Sequence, residues 1–218
     1  MARESAAARA ARAQEILAAL ARTYPHAHCE LDYTTPIELL IATILSAQCT
    51  DRRVNIVTKE LFRVCKTAAD FVALPQEQLE EIVHTTGFFR AKARNVKTCC
   101  AALVGRHGGE VPRTMDELTA LAGVGRKTAN VVLGNAFGIN VGVVVDTHVQ
   151  RLTSRLGLTR ETTPEKIEQD MMKLVPREQW ALFSHWLIWH GRRRCVARKP
   201  DCANCELAKL CPRIGVAR

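Results

Sequence analysis

Apolar positions recur with a helical period along most of the chain. Over 5–23 an alanine-rich stretch puts Ile16, Leu17 and Leu20 on one face and predicts a helix that Tyr24-Pro25 ends. Pro36 suits a first helical turn, and Ile37, Leu39, Leu40, Ile41, Ile44 and Leu45 after it leave little polar face, so this helix belongs in a core. It gives way to Ser46-Ala47-Gln48-Cys49-Thr50-Asp51, where Gln48 reads as a turn residue and Thr50 or Asp51 caps the next helix, through Leu61 and Phe62. Two short helices are predicted over 68–74 and 75–84. Gly87 is a C-cap, and Phe88-Phe89 opens a longer helix through Val96, Cys100, Leu103 and Val104, ended by Gly108-Gly109. Thr114 with Glu117 predicts a capping box. Leu118 and Leu121 then lead into Gly123-Val124-Gly125 and a further helix. The β-branched run 139–145 is short and has no partner strand, which predicts an extended connection. Asp146 or Thr147 caps a helix to Leu156, and Thr163-Pro164 starts another. A last helix over 177–194 carries Trp180, Phe183, Trp186, Leu187 and Trp189 as core residues.

Composition narrows the class. The 218 residues are 47% hydrophobic, enough for a packed core in one domain or two small ones. Lys and Arg outnumber Asp and Glu by 31 to 22, a net charge of +9, which favours a polyanionic partner through counterion release, against the plainer reading of solubility. Nine cysteines without a secretory signal point to a reducing compartment and to metal ligation. The segment from Met1 to Arg22 mixes Arg3, Arg9, Arg12 and Arg22 with Glu4 and Glu15 and lacks a continuous apolar run, so it reads as an ordinary helix and not a transit peptide. No apolar run approaches the ~18 residues of a membrane span, so a soluble protein with no membrane partner is expected.

The densest candidate chemistry lies in 121–146, LAGVGRKTANVVLGNAFGINVGVVVD. Gly123 and Gly125 allow a tight turn that another backbone can approach, with amides turned outward at a helix start, an arrangement that suits phosphate. Lys127 lies in the first turn beyond and reads equally as a phosphate contact or a nucleophile. Asp146 reads as a helix N-cap or as a functional carboxylate.

A second cluster closes the chain. Cys195, Cys202, Cys205 and Cys211 follow a Cys-x6-Cys-x2-Cys-x5-Cys pattern in a loop too small for a core of its own. Zinc ribbons pair two Cys-x2-Cys knuckles, whereas only Cys202 and Cys205 have that spacing, so the uneven pattern suits a [4Fe-4S] cluster better than zinc. Arg192, Arg193, Arg194, Arg198 and Lys199 surround the first cysteine, a phosphate-binding signature if the loop is held rigid. Cys29, Cys49, Cys65, Cys99 and Cys100 show no ligand spacing and read as small core residues.

Together LAGVGRKTAN, the VDTHV around Asp146, SAQCTD and the four-cysteine tail resemble the endonuclease III family of bifunctional DNA glycosylase and AP lyase enzymes, over nearly the whole chain. The resemblance implies an all-α helix-hairpin-helix DNA glycosylase fold: a six-helix domain over 29–139, with the helix-hairpin-helix at 114–137, and a discontinuous lobe joining 1–28 to 140–218. That lobe carries a [4Fe-4S] loop at 195–211 held by Cys195, Cys202, Cys205 and Cys211. Lys127 matches the family's lysine that attacks C1′, displaces the base and forms a Schiff base for β-elimination. Asp146 matches its aspartate. Gln48 matches a glutamine that fills the gap of the flipped nucleotide, and Phe88 falls near a second wedge. DNA contacts are implied at Gln48, Phe88, Gly123, Val124, Gly125, Arg126, Thr128, His148, Arg198 and Lys199. The implied partner is double-stranded DNA with oxidised pyrimidines or abasic sites, bound by a monomer in the cytoplasm of a bacterium, at the nucleoid.

A lysine nucleophile must be neutral, and at pH 7 an ordinary lysine of pKa ~10.4 is so in only about one molecule in 2,500. Burial and a helix N-terminus favour the neutral amine, while a nearby carboxylate favours the ammonium. Asp146 is therefore better suited to accepting a proton and to stabilising the positive charge on the sugar than to activating the lysine alone. Three departures from the family bear on loop geometry and lesion preference. Phe88 stands where leucine is common, Ala122 replaces a commoner proline, and the Lys127–Asp146 connection is about one residue longer. A mismatch glycosylase of the same superfamily is a sibling reading that Lys127 argues against, and a non-catalytic cluster-bearing DNA-binding module is the other alternative.

Overall fold

A computed structural model describes residues 4–216; the ends of the expected 1–28 and 140–218 segments, Arg3 included, lie outside the described residues. The described chain is helical: α1 (Ala6–Thr23), α2 (Pro36–Leu45), α3 (Asp51–Val64), α4 (Ala68–Ala73), α5 (Gln76–Val83), α6 (Phe89–His107), α7 (Met115–Thr119), α8 (Arg126–Ala136), α9 (Thr147–Arg155), α10 (Pro164–Leu174) and α11 (Trp180–Arg193). Among the described residues there is no strand, and 139–145 is an extended connection. No described helix is long and apolar enough to cross a membrane. Two compact units result, one from Cys29 to Ile139 and one joining the segment up to His28 to the chain from Asn140 onward.

The continuous unit is built on α2. Thr35 caps it by accepting the Glu38 N–H, Pro36 occupies the first turn, and every residue from Ile37 to Leu45 is buried. Helices α3, α6 and α8 pack around it, while α4 and α5 pack on α6. Leu39, Leu40 and Ile41 are fully buried, each contributing about 1.5–3 kcal/mol of burial relative to exposure. The glutamate on this apolar helix is accommodated because Glu38 Oε2 accepts both the N–H and the hydroxyl of Thr34, at 2.6 and 2.7 Å.

The caps differ from expectation at Thr163, whose side chain bonds no N–H of α10, and at Thr114. Thr114 Oγ1 accepts the Glu117 N–H, but the Glu117 carboxylate takes the Thr114 hydroxyl at 2.6 Å and not its backbone N–H, so the box is not reciprocal. The reciprocal box lies at Thr67 and Asp70, where the shorter carboxylate turns back to accept the N–H groups of Thr67 and Lys66.

The discontinuous unit packs α1 against α10 and α11, and α9 against the same two helices. Ile16 and Leu20 meet Val149, Leu152, Ile167, Met171, Phe183 and Leu187 in its core, with Leu207 added from the cysteine loop. Residues 177–179 form a tight turn ahead of α11, and Trp180, Phe183, Trp186 and Leu187 are buried as predicted, whereas Trp189 is only partly buried against that core. Arg12 draws the distant segments together. Its Nη1 donates to the carbonyls of Leu156 and Leu210, and its Nε and Nη2 pair with Glu4 at 2.8 Å.

Candidate functional site

The hairpin between α7 and α8 is anchored by Leu118, Leu121 and Val124, all buried. Gly123 has φ +76, and a Cβ there would stand 3.0 Å from Cβ of Asn95 on α6, so the turn needs glycine for both conformation and space. Gly125 is in ordinary extended conformation with open space around its Cα, and it caps α8 without a side chain. No side-chain cap therefore covers the start of α8, whose amides and positive dipole end are available to an anion. Lys127 follows in the first turn and is exposed, as is Arg126, with Thr128 half-buried. The burial expected around the Lys127 amine is thus not supplied by the protein, because the first turn of α8 faces outward. Any desolvation there has to come from what binds.

Asp146 is the N-cap of α9: its Oδ1 accepts the N–H groups of His148 and Val149, both at 2.8 Å. The half-buried carboxylate is fixed in orientation through that one oxygen. His148 Nδ1 lies 3.1 Å from Nη2 of Arg151, and burial lowers the His148 pKa against the opposing pull of Asp146. Burial likewise pushes His185 down to about 4, helped by His28 and opposed by Asp146. Two imidazoles whose burial favours the neutral form thus stand near Asp146, together with the Arg151 guanidinium, whose charge the carboxylate favours.

Gln48 and Phe88 share an unusual backbone. Their φ angles are +52 and +48, in the left-handed region that costs a side-chain-bearing residue about 1–2 kcal/mol. Both are exposed, Phe88 at 70%, an apolar ring held out of the core where hydrophobic patterning would not leave it.

The four C-terminal thiols of Cys195, Cys202, Cys205 and Cys211 line one cavity, with Arg155, His190 and Leu207 among its walls. Donors reach two of the sulfurs, Arg155 Nη1 at 3.2 Å from Sγ of Cys195 and the Arg213 N–H at 3.4 Å from Cys211, and His190 Nε2 lies 3.4 Å from Sγ of Cys205. Burial pushes the Cys205 thiol up to about 11 and raises Cys211, so a bound metal is what would hold them as thiolates. Hydrogen bonds to sulfur from a half-apolar wall suit a metal cluster. The ligand atoms of His190, Cys205 and Glu206 also lie within 4.8 Å of one another. His190 Nδ1 is within 2.9 Å of Tyr24 Oη and Glu206 pairs with Arg194, so these two support Cys205 from behind.

Of the basic residues around the loop, Arg192, Arg193, Arg198 and Lys199 are exposed. Arg194 is engaged internally with Asp201 and Glu206, at 2.6 and 3.0 Å, and Arg193 stacks 3.7 Å over Trp189. Sequence reading missed the residues that hold the loop from α9. Arg151 donates to the carbonyls of Gly191 and Cys195, and Arg155 to those of Val196 and Ala197. Their i, i+4 spacing after Asp146 was the available signal. Gly191 was missed too, because a Cβ there would stand 2.8 Å from Nδ1 of His148, a constraint visible only in the packing. Lys92 was the third omission, a lysine on the apolar stripe of α6 with Val96, Cys99 and Leu103.

Residues 41–177 match the HhH-GPD superfamily of base excision DNA repair proteins. The chain is 56% identical to an endonuclease III of Synechocystis sp. over 201 residues, covering 92% of each protein. It is similar to the protein in a non-covalent endonuclease III–DNA complex, with a TM-score of 0.90, 46% identity and coverage of 94% of this chain and 95% of that one. It is also similar to the protein in a trapped endonuclease III–DNA covalent intermediate with an estranged adenine, with a TM-score of 0.87, 47% identity and coverage of 92% and 96%. The hairpin, the capping aspartate and the cysteine loop thus sit in a chain that belongs to the endonuclease III family of the HhH-GPD base excision repair superfamily.

Proposed function

We propose that the protein is a bacterial base excision DNA glycosylase with AP lyase activity, acting on double-stranded DNA that contains oxidised pyrimidines or abasic sites. The observation that carries this reading is an exposed Lys127 in the first turn of a helix that no side chain caps. The hairpin amides from Gly123 to Gly125, with Arg126 and Thr128, hold the phosphate backbone, and Lys127 is aimed at the sugar rather than enclosed by protein. Its neutral amine attacks C1′ as the bond to the base breaks, and the proton that the amine sheds passes by way of Asp146 to the departing base. Opening of the sugar ring gives the Schiff base, and loss of a C2′ proton then expels the 3′ phosphate by β-elimination. Asp146, held by two N–H donors on one oxygen, offers its other oxygen to the positive charge that develops on the sugar, with His148 beside it as a DNA contact. Gln48 and Phe88 enter the gap of the extruded nucleotide, offsetting part of an extrusion cost of a few kcal/mol. Arg198 and Lys199 add phosphate contacts from the cysteine loop.

The cofactor in this reading is a [4Fe-4S] cluster on Cys195, Cys202, Cys205 and Cys211, a rigid and redox-capable crosslink for a loop with little core. Thiol spacing supports it over zinc. Only Cys202 and Cys205 form a Cys-x2-Cys knuckle, whereas a zinc ribbon pairs two of them.

Borohydride trapping on abasic-site DNA tests the proposal. A covalent adduct is expected with the wild type and none with Lys127→Met. Folded wild-type protein that yields no adduct would leave the hairpin as a phosphate grip only.

A further inference from the structure

The two exposed tips, Gln48 and Phe88, belong to segments separated by forty residues of sequence, yet one buried side chain holds both. Lys92 is 4% exposed, and its Nζ donates to the carbonyl oxygens of Leu45, at 2.8 Å, and of Thr86, at 2.7 Å. The two oxygens can therefore lie no further apart than those bonds laid end to end. Leu45 closes α2, where the last carbonyls have no helical partner and a cation is favoured. Three residues later the chain reaches Gln48 with φ +52. Thr86 precedes Gly87, at φ +71, and then Phe88 at φ +48, which leads into α6, and the Lys92 N–H itself bonds the Phe88 carbonyl at 3.1 Å. Among the described residues no carboxylate pairs with this ammonium; its hydrogen-bond acceptors are the two backbone carbonyls. A methylene chain ending in a methyl would pack in the same apolar stripe beside Val96 without a desolvation cost, so packing does not explain the charge.

We propose that Lys92 is the positioning residue for the two gap-filling side chains: a single ammonium that fixes the Gln48 turn and the Phe88 turn in register with each other, so that both side chains enter the duplex as one unit. The inference rests on the reading of Gln48 and Phe88 as wedges. Lys92 touches neither substrate nor reacting atoms. Its contribution is to hold two strained backbones whose left-handed geometry would otherwise relax independently.

The discriminating measurement is the ratio of lyase rates on duplex and single-stranded abasic DNA, because only the duplex requires extrusion. A 2-aminopurine opposite a tetrahydrofuran abasic analogue reports unstacking of the partner base in parallel. Lys92→Met is expected to lower the duplex-to-single-strand ratio about fivefold or more and to suppress the fluorescence rise. Adding Gln48→Ala in that background should then cost less than twofold further. A general structural defect lowers both rates alike and leaves the ratio unmoved. A folded Lys92→Met with wild-type ratio and fluorescence overturns the inference, as does full additivity with Gln48→Ala. Gln48→Ala and Phe88→Ala alone report on the wedge reading: if neither changes the ratio, that reading fails and this one with it, whereas a loss in either with none in Lys92→Met removes the tether alone. Should Lys92→Met not fold, hydrogen exchange in Phe88→Gly supplies the test. A shared anchor predicts about threefold or faster exchange at 46–49 when the other turn is loosened, and unchanged exchange there overturns it.

Discussion

Asp146 Oδ1 accepts the Val149 N–H at 2.8 Å, so one carboxylate both starts a helix and carries the charge proposed for catalysis. Substitution can separate the two duties. Asn caps a helix about as well as Asp, so Asp146→Asn should keep the melting temperature and DNA binding while single-turnover base release falls about 100-fold or more. Asp146→Ala should in addition lose about 1 kcal/mol of stability in denaturant titration. Unchanged excision by Asp146→Asn would remove the carboxylate from the chemistry.

The two hairpin glycines should respond differently to alanine. At Gly123 the left-handed φ and the approach of Asn95 both oppose a methyl group, so Gly123→Ala should destabilise by about 1–2 kcal/mol and disturb the turn. At Gly125 nothing stands within 4 Å of an added Cβ and φ is negative. Gly125→Ala should fold normally and show its effect in weaker DNA binding, by crowding the phosphate. Thermal unfolding beside fluorescence-anisotropy titration distinguishes these outcomes.

Arg198 and Lys199 are exposed on the cysteine loop. Replacing both with Gln should weaken binding to all sequences. The slope of log affinity against log salt should flatten by about 2, because each phosphate that is no longer neutralised releases about one counterion fewer. A slope unchanged across several salt concentrations would assign these charges to solubility.

His185 gives a pH dependence with a definite sign. Its folded pKa is about 4 against an ordinary 6.5, because burial disfavours the imidazolium. Between those values the unfolded state binds the extra proton, so the stability is fully present above pH 6.5 and is lost as pH falls toward 4. The full loss is on the order of 3 kcal/mol. Urea titrations at pH 7 and pH 5 should show part of this decline in the wild type and a shallower one in His185→Gln. An equal decline in both would place the titration elsewhere.

Iron content and a visible absorption band near ~400 nm should accompany the folded wild-type protein and be lost when Cys202 is replaced by Ser. Zinc without iron in the purified protein would contradict the cluster.

Much of this architecture could be read from local chemistry. Pro36, Thr50, Gly108 and Thr163 with Pro164 act within a turn of themselves, so the helix boundaries they set were visible without tertiary information. The candidate site was legible for a related reason: Gly123 to Lys127 and the four cysteines are contiguous or nearly so. What escaped was action at a distance. Lys92 is only a lysine out of place on an apolar stripe until Leu45 and Thr86 arrive beside it, and Gly191 is simply a helix glycine until His148 packs against it. Glu117 shows the limit at short range, since the residue types of a capping box were present but the carboxylate bonded a hydroxyl instead.

Arg12 binds the carbonyl of Leu210, joining α1 to a loop that the ribosome makes 198 residues later. At roughly 5–20 residues per second, several seconds separate Ile139 from that loop. During that interval the unit from Cys29 to Ile139 has all its helices, whereas α1 waits with Ile16, Leu17 and Leu20 uncovered. The emerging chain therefore carries a folded middle and an orphaned first helix. Its window for chaperone capture or aggregation narrows when α10 and α11 are made to cover that face, and the cysteine loop adds Leu207 and the Arg12 bond last.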